Sequence, residues 1–446
     1  MRWMKWLYPG LRIKRWISLA SLGLIIIALG FGLLFYRQSV YVARLVFSLG
    51  SAEIVVAGVA AIVLGGLSIV YGLNRAFRSA VNLLVPRQRE KLIDVIFEKT
   101  ILDSGPNVVV IGGGTGLSSL LRGLKGYTSN ITAIVTVTDD GGSSGRLRDG
   151  MGILPPGDIR NCVLALADTE PLMEQLFQYR FSEQELSGHS FGNLLIAAMS
   201  EVTGDFQVAV KEFSKVLAVR GTVLPVTLSD VSIRADLTDG RTIHGESQIS
   251  AARGVVARLH LEPPDAVALP EVVEAILGAD AVVIGPGSLF TSIVPNLLVQ
   301  GVAGALAETS ATRIYICNVM TQPAETTGFG ALRHVTELEK YMSGRVADAI
   351  IVNSEKVRPD LEEHYRADGA APVTPDIAEL RERGYKVIAA PLLRQDDTVR
   401  HDSDRLARAV MRLIVKNTID ARVKVAAGKL LADRRLDLID DDTDTN

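Results

Sequence analysis

Cysteine is scarce. The 446-residue chain has two, Cys162 and Cys317, each within an apolar segment, which excludes a disulfide framework and a cysteine-built metal site and fits buried thiols in a reducing compartment. Excess positive charge is also lacking. With 47 Lys and Arg against 50 Asp and Glu, the formal charge of −3 gives no global signal for nucleic acid. No second metal-ligating histidine lies near His189, so a zinc site is not expected. The glycine-rich stretch at Gly112 has Leu117 where a dinucleotide fingerprint wants glycine, and no Gly-Lys-Ser/Thr triplet completes a P-loop, which disfavours NAD and ATP. No repeat of solenoid period is visible.

Long hydrophobic runs, by contrast, are present. Ile17 to Tyr36 and Ile54 to Leu73 carry no charged side chain, and each is about as long as a bilayer-crossing helix requires. A secretory signal fits less well, because the first run is long, lacks a small-x-small cleavage site and is followed by a second. Arg2, Lys5, Arg12, Lys14 and Arg15 precede the first run and Arg75, Arg78, Arg87, Arg89 and Lys91 follow the second, whereas Arg37 and Arg44 alone lie between them. The positive-inside rule predicts a membrane hairpin with both ends in the cytoplasm. Trp3, Trp6 and Trp16 read as interfacial anchors.

The expected domains are a transmembrane hairpin over 1–74, a juxtamembrane helix and linker over 75–106 ending at Ser104-Gly105-Pro106, a nucleotide-binding domain over 107–420, and an extension with an acidic tail over 421–446. Buried-strand runs recur at Asn107 to Ile111, Ile131 to Val137, Ala281 to Ile284, Arg313 to Cys317, Ala349 to Val352 and Lys386 to Ala389, with helical patterns between them. This alternation predicts an α/β, Rossmann-like fold with a mainly parallel sheet and ligands at the strand carboxyl ends. Thr222 to Ile249 alternates apolar with polar residues and carries a turn signal at Asp239-Gly240, which predicts an antiparallel insert.

The chemistry concentrates in a few loops. Gly112-Gly113-Gly114-Thr115-Gly116 joins a strand to a helix; such a turn aims backbone N–H groups and a helix N-terminus at an anion. Ile284 to Asn296 repeats this logic through Gly285, Gly287 and Ser288. Thr136 to Arg146 sets Asp139 and Asp140 beside flexible glycines and an arginine, a repelling pair that needs a metal, backbone donors or a cation. Leu154 to Asn161 places Asp158 after two prolines and a glycine, as a helix cap or a preorganised site residue. His189-Ser190-Phe191-Gly192-Asn193 precedes another apolar helix and offers an imidazole and a carboxamide.

In this order and spacing, the motifs resemble the gluconeogenesis-factor family, which is similar in fold to 2-phospho-L-lactate transferase (CofD-like). The resemblance covers about Asn107 to Ile414. It implies a cytoplasmic protein that binds a UDP-sugar such as UDP-N-acetylglucosamine, regulating cell-wall metabolism and cell shape on gluconeogenic carbon sources. It carries no established reaction. Two later segments, Glu363-His364-Tyr365 and Arg400-His401-Asp402, match the family as well, and by that resemblance Tyr365 and Arg400 contact the uridine nucleotide. Gly112, Gly113, Gly114, Thr115, Gly116, Asn193, Gly285, Gly287 and Ser288 complete the expected nucleotide site. The transferase relatives imply Mg²⁺ on Asp140 and Asp158, and with it the alternative of a Mg-dependent transferase using a nucleotide diphosphate donor. Expected partners are the nucleotide, the membrane, another copy of the chain and cell-wall synthesis proteins.

Overall fold

In a computed structural model of the chain, residues 100–417 are described apart from 169–170, 184–185, 253, 324 and 343. The chain divides at Thr100 and Ile101, and every strand among the described residues lies in the second part. Among the described residues no helix is long and apolar enough to cross a membrane. The two spans expected at 17–36 and 54–73 and the acidic tail lie outside the described residues.

Seven parallel strands form the central sheet: β1 (Val108–Gly112), β2 (Ile131–Val135), β3 (Thr222–Pro225), β7 (Ala281–Ile284), β8 (Thr312–Ile316), β9 (Ala349–Asn353) and β10 (Lys386–Ala390), in the order β10-β9-β8-β7-β1-β2-β3. Their continuous apolar runs are explained by helices on both faces. Val110 stands beside Ala133 on one side and Val283 on the other, and all three are sealed from solvent. The α/β class and the six strand runs are as the sequence pattern predicts.

The insert is shifted from its expected place. The antiparallel reading of Thr222 to Ile249 fails at its first run, because β3 joins the main sheet parallel to β2, with Val223 beside Ala133. The antiparallel sheet is β4 (Ser232–Leu237), β5 (Thr242–His244) and β6 (Val256–Glu262), ordered β5-β4-β6, with its hairpin turn at Asp239-Gly240. β-rich composition is common to both kinds of strand, and the partner decides. A short antiparallel pair, β11 (Leu393–Gln395) and β12 (Val399–His401), completes the strands.

Helix Gly114–Leu124 buries Leu117, Leu120, Leu121 and Leu124, one face of a 3.6-residue repeat; each such side chain contributes about 1.5 to 3 kcal/mol. Against it lies helix Ser403–Asn417, which buries Leu406, Val410, Met411 and Ile414. Gly123 permits the contact, since a Cβ there would collide with the Ser403 carbonyl. This packing carries β12 to the carboxyl edge of the sheet.

Candidate functional site

The strand order reverses between β1 and β7. The chain runs from β1 to β2 and β3 on one side, then returns to β7 and continues outward to β10 on the other. Such a switch point leaves a crevice beyond the strand ends, because the two connections leave in opposite directions. Here it is a cleft of about 230 Å³ lined by Gly113, Gly114, Thr115, Gly116, Pro286, Gly287, Ser288, Asn318, Gln322, Arg400 and His401, among others. A larger open depression of about 490 Å³, beside Arg148, Gly204 and Leu228, contains none of the expected site residues.

Both glycine turns therefore face one space, and Gly113, Gly114, Thr115, Gly116, Gly287, Ser288 and Arg400 all line it. Gly112 and Gly285 stand just behind, where β1 and β7 end; the backbone N–H of Gly285 donates to Ile111 O at 2.8 Å. The turns also pack on one another. A Cβ on Gly116 would lie 2.8 Å from Pro286 O, and one on Gly287 would lie 3.3 Å from Gly113 O, so the glycines serve close approach as well as anion access. Asn296 ties the two together, donating from Nδ2 to Gly112 O at 3.2 Å and to Ser292 O at 2.7 Å.

Asp158 reaches the first turn directly, its Oδ2 accepting from Gly114 N at 2.7 Å. Burial is the main cause that raises its pKa to about 6, and neighbouring Asp139 adds to it. Asp140 is held from the insert. Its Oδ1 accepts from Ser247 N at 2.8 Å in the first turn of helix Glu246–Ala251, on the insert. The carboxylate that couples to Asp158 is thus that of Asp139, whose Oδ1 accepts from Gly141 N at 2.9 Å.

Two further acids complete the cluster, and sequence reasoning passed over both. Glu246 has its pKa raised to about 9, by burial first and then by Asp139, Asp158, Glu325 and Asp140. Glu325, 2% exposed, accepts at Oε1 from Ser250 Oγ at 3.0 Å, and its Oε2 has no partner among the described residues. One glutamate in the insert and another in the loop after β8 carry no local signal of such a meeting. No group of three or more His, Cys, Asp or Glu among the described residues is arranged to hold a metal ion. The acids do fit a Mg²⁺ that arrives with a diphosphate, since that ion takes one or two carboxylates and completes its shell from phosphate and water.

Asn193 lies in a buried network instead of the cleft lining. Arg160 donates to Ser190 Oγ and, at 2.8 Å, to Asn193 Oδ1; Asn193 Nδ2 donates to Ser143 Oγ at 3.0 Å. This ties the Asp139 loop to helices Gly157–Leu166 and Phe191–Thr203. Tyr365 also sits behind the cleft. Its ring packs on Val319, Met320, Val357, Leu361, Leu393 and Val399, and its hydroxyl accepts from Val399 N at 3.1 Å, so it holds the β12 segment that presents Arg400. His401 is buried and its pKa falls to about 4 through burial, although a bond to the Cys317 carbonyl opposes this; Nε2 has no partner among the described residues. Asn318 and Gln322 line the cleft without any signal in the sequence pattern. Gln322 Nε2 donates to Ser288 Oγ at 2.5 Å, a pairing that only the folded sheet creates. Both cysteines are free and buried.

Residues 108–393 match the family model described as 2-phospho-L-lactate transferase CofD. A protein from Nostoc sp. that bears the gluconeogenesis-factor name is 46% identical over 427 residues, covering 92% of each chain. The gluconeogenesis factor of Bacillus subtilis is 48% identical over 311 residues, covering 69% of this chain and 98% of its own. A crystal structure of a member of the UPF0052 family from Bacillus halodurans superposes with a TM-score of 0.67 at 46% identity, over 69% of this chain and 99% of that one.

Proposed function

Since the chain belongs to the 2-phospho-L-lactate transferase CofD family, we propose that it is a gluconeogenesis factor that binds a UDP-sugar of the UDP-N-acetylglucosamine type in the switch-point cleft and regulates cell-wall metabolism and cell shape. The observation that carries this reading is the meeting of both glycine turns and Arg400 around one cavity. Backbone amides of the turns suit a pyrophosphate. Arg400 forms no ion pair or side-chain hydrogen bond among the described residues and is exposed at the rim, a guanidinium available for ribose or phosphate oxygens. Tyr365 supports that arginine in this reading, through the hydrogen bond its hydroxyl accepts from Val399 N. The domain would stand on the cytoplasmic side of the membrane, tethered through 17–36 and 54–73; recovery of the chain in the soluble fraction after lysis would oppose the tether.

Calorimetric titration of the chain with UDP-N-acetylglucosamine tests the reading. Binding that persists in excess chelator and weakens in Arg400→Ala supports a regulator, and no heat with any uridine nucleotide overturns it. The second reading is a Mg-dependent transferase acting on a nucleotide diphosphate donor. It draws on the crowding of Asp139, Asp158, Glu246 and Glu325, negative charge for which a cation is the natural counterpart. In that case Asp158, with Asp140 as the resemblance implies or Asp139 as its neighbour in the fold, would hold Mg²⁺, which would neutralise the diphosphate. Metal-dependent product formation is the outcome that favours it.

A further inference from the structure

Three arginines and a histidine gather where helix Gly142–Met151 begins, and no carboxylate pairs with any of them among the described residues. Arg146 Nη2 donates to Ser187 O at 2.7 Å and Arg180 Nη1 donates to Gly188 O at 3.0 Å. Both therefore bend over the segment that carries His189. Arg160 lies beneath, 6% exposed, its pKa lowered to about 10 by burial and then by Arg180. Asp158 and Asp139 oppose that lowering, and Asp139 also takes the Gly141 N–H at the helix start, so the positive charge left to an incoming anion is that of Arg146 and Arg180.

The buried network fixes what the histidine offers. Asn193 Oδ1 accepts from Arg160, so its Nδ2 is turned to Ser143 Oγ. Ser143 is 5% exposed and receives that hydrogen bond, which leaves its own proton for His189 Nδ1 at 3.0 Å. With Nδ1 accepting from Ser143, Nε2 carries the imidazole proton. His189 is 9% exposed, yet Nε2 has no partner among the described residues and is not one of the sealed polar atoms. In that tautomer it is a donor with no acceptor among the described residues.

We propose that His189, Arg146 and Arg180 form a second anion subsite, separate from the glycine cleft, which takes the phosphate group of a small ligand. The imidazole gives one directed hydrogen bond, and the two exposed guanidinium groups supply charge. Arg160, Asn193 and Ser143 are positioning residues that set the tautomer. The subsite does not rest on the UDP-sugar reading.

The test is calorimetry on the full chain with inorganic phosphate, the cleft first filled with UDP-N-acetylglucosamine, or left empty if that nucleotide does not bind. Phosphate binding is expected, weakened about tenfold or more in the double variant Arg146→Gln, Arg180→Gln and about fivefold in His189→Gln. Arg146→Lys with Arg180→Lys should recover most of the affinity, which separates lost charge from a disturbed loop. A second arm uses glycerol 3-phosphate: tighter binding than inorganic phosphate identifies an ester as the ligand class, and weaker binding identifies the free ion. Phosphate affinity unchanged in the double glutamine variant, or no phosphate binding by the parent chain, overturns the proposal.

Discussion

The carboxylate of Asp158 already occupies the leading amide of the first glycine turn, its Oδ2 accepting from Gly114 N at 2.7 Å. The turn that reads in the sequence as an open phosphate cradle is thus partly filled by the chain itself. A ligand phosphate must use the remaining donors of Thr115, Gly116 and the second turn, or must displace a carboxylate.

That contact has a pH signature. Burial raises Asp158 from 3.8 to about 6, so between those values the folded chain holds a proton that the unfolded chain releases. The stabilisation is fully present below pH 4 and lost as pH rises through 6. Asp158→Asn keeps the acceptor for Gly114 N and removes the charge. It should be more stable than the parent by on the order of 2 to 3 kcal/mol at pH 7.5, and equal to it near pH 4. Urea unfolding at the two pH values reads this directly, and equal stability at both would refute it.

Glycines in the same loops differ in what they must do. Gly116→Ala places a methyl 2.8 Å from Pro286 O, a backbone atom that cannot step aside alone; the expected cost is about 1 to 3 kcal/mol, with loss of nucleotide binding as the turns part. Gly150 lies inside helix Gly142–Met151 with open space around its Cβ position. Gly150→Ala should stabilise by about 0.5 to 1 kcal/mol. Thermal unfolding with a parallel nucleotide titration distinguishes the two, and similar behaviour would sink the packing argument.

How far the sequence carries is visible in these loops. Strand, glycine turn and helix are local patterns, so β1 with Gly113 to Gly116 and β7 with Gly287 and Ser288 can be read from neighbours alone. That both turns meet in one cleft depends on the sheet order, which no local pattern encodes. For the same reason β3 reads as part of the insert: its register with Thr132 to Val135 is a long-range fact. Asp140 and Asp139 are indistinguishable in composition, and only the fold shows that Ser247 of the insert donates to the first while the second acts on Asp158. Tyr365 and Arg400 are linked to the nucleotide by resemblance. The packing separates them, one behind the cleft wall and one on its rim.

Tyr365 and Arg400 should accordingly fail in different ways. Tyr365→Phe removes the hydroxyl that accepts from Val399 N and should cost about 1 kcal/mol of stability. Its effect on UDP-sugar affinity should be small, because the ring still packs on Val319 and Leu361. Arg400→Ala should leave the unfolding midpoint unchanged and weaken uridine-nucleotide binding by about 1 to 3 kcal/mol. A Tyr365→Phe variant that keeps full stability and loses affinity would restore direct contact between Tyr365 and the ligand.

His401 sets the acid limit of the same segment. Its pKa drops from 6.5 to about 4 because burial disfavours the imidazolium, so the folded chain keeps the ring neutral where the unfolded chain takes up a proton. The stability this confers is complete above pH 6.5 and disappears as pH falls toward 4, the reverse of the Asp158 case. His401→Asn does not titrate and can still donate to the Cys317 carbonyl. Between pH 6.5 and 4 the parent should lose on the order of 3 kcal/mol relative to this variant. Because His401 follows Arg400 in β12 and lines the cleft with it, protonation that loosens the strand should also release the arginine. UDP-sugar affinity is then expected to fall over that interval in the parent chain and to stay level in His401→Asn. Parallel curves for the two chains would show that the buried imidazole plays no part in holding the rim of the cleft.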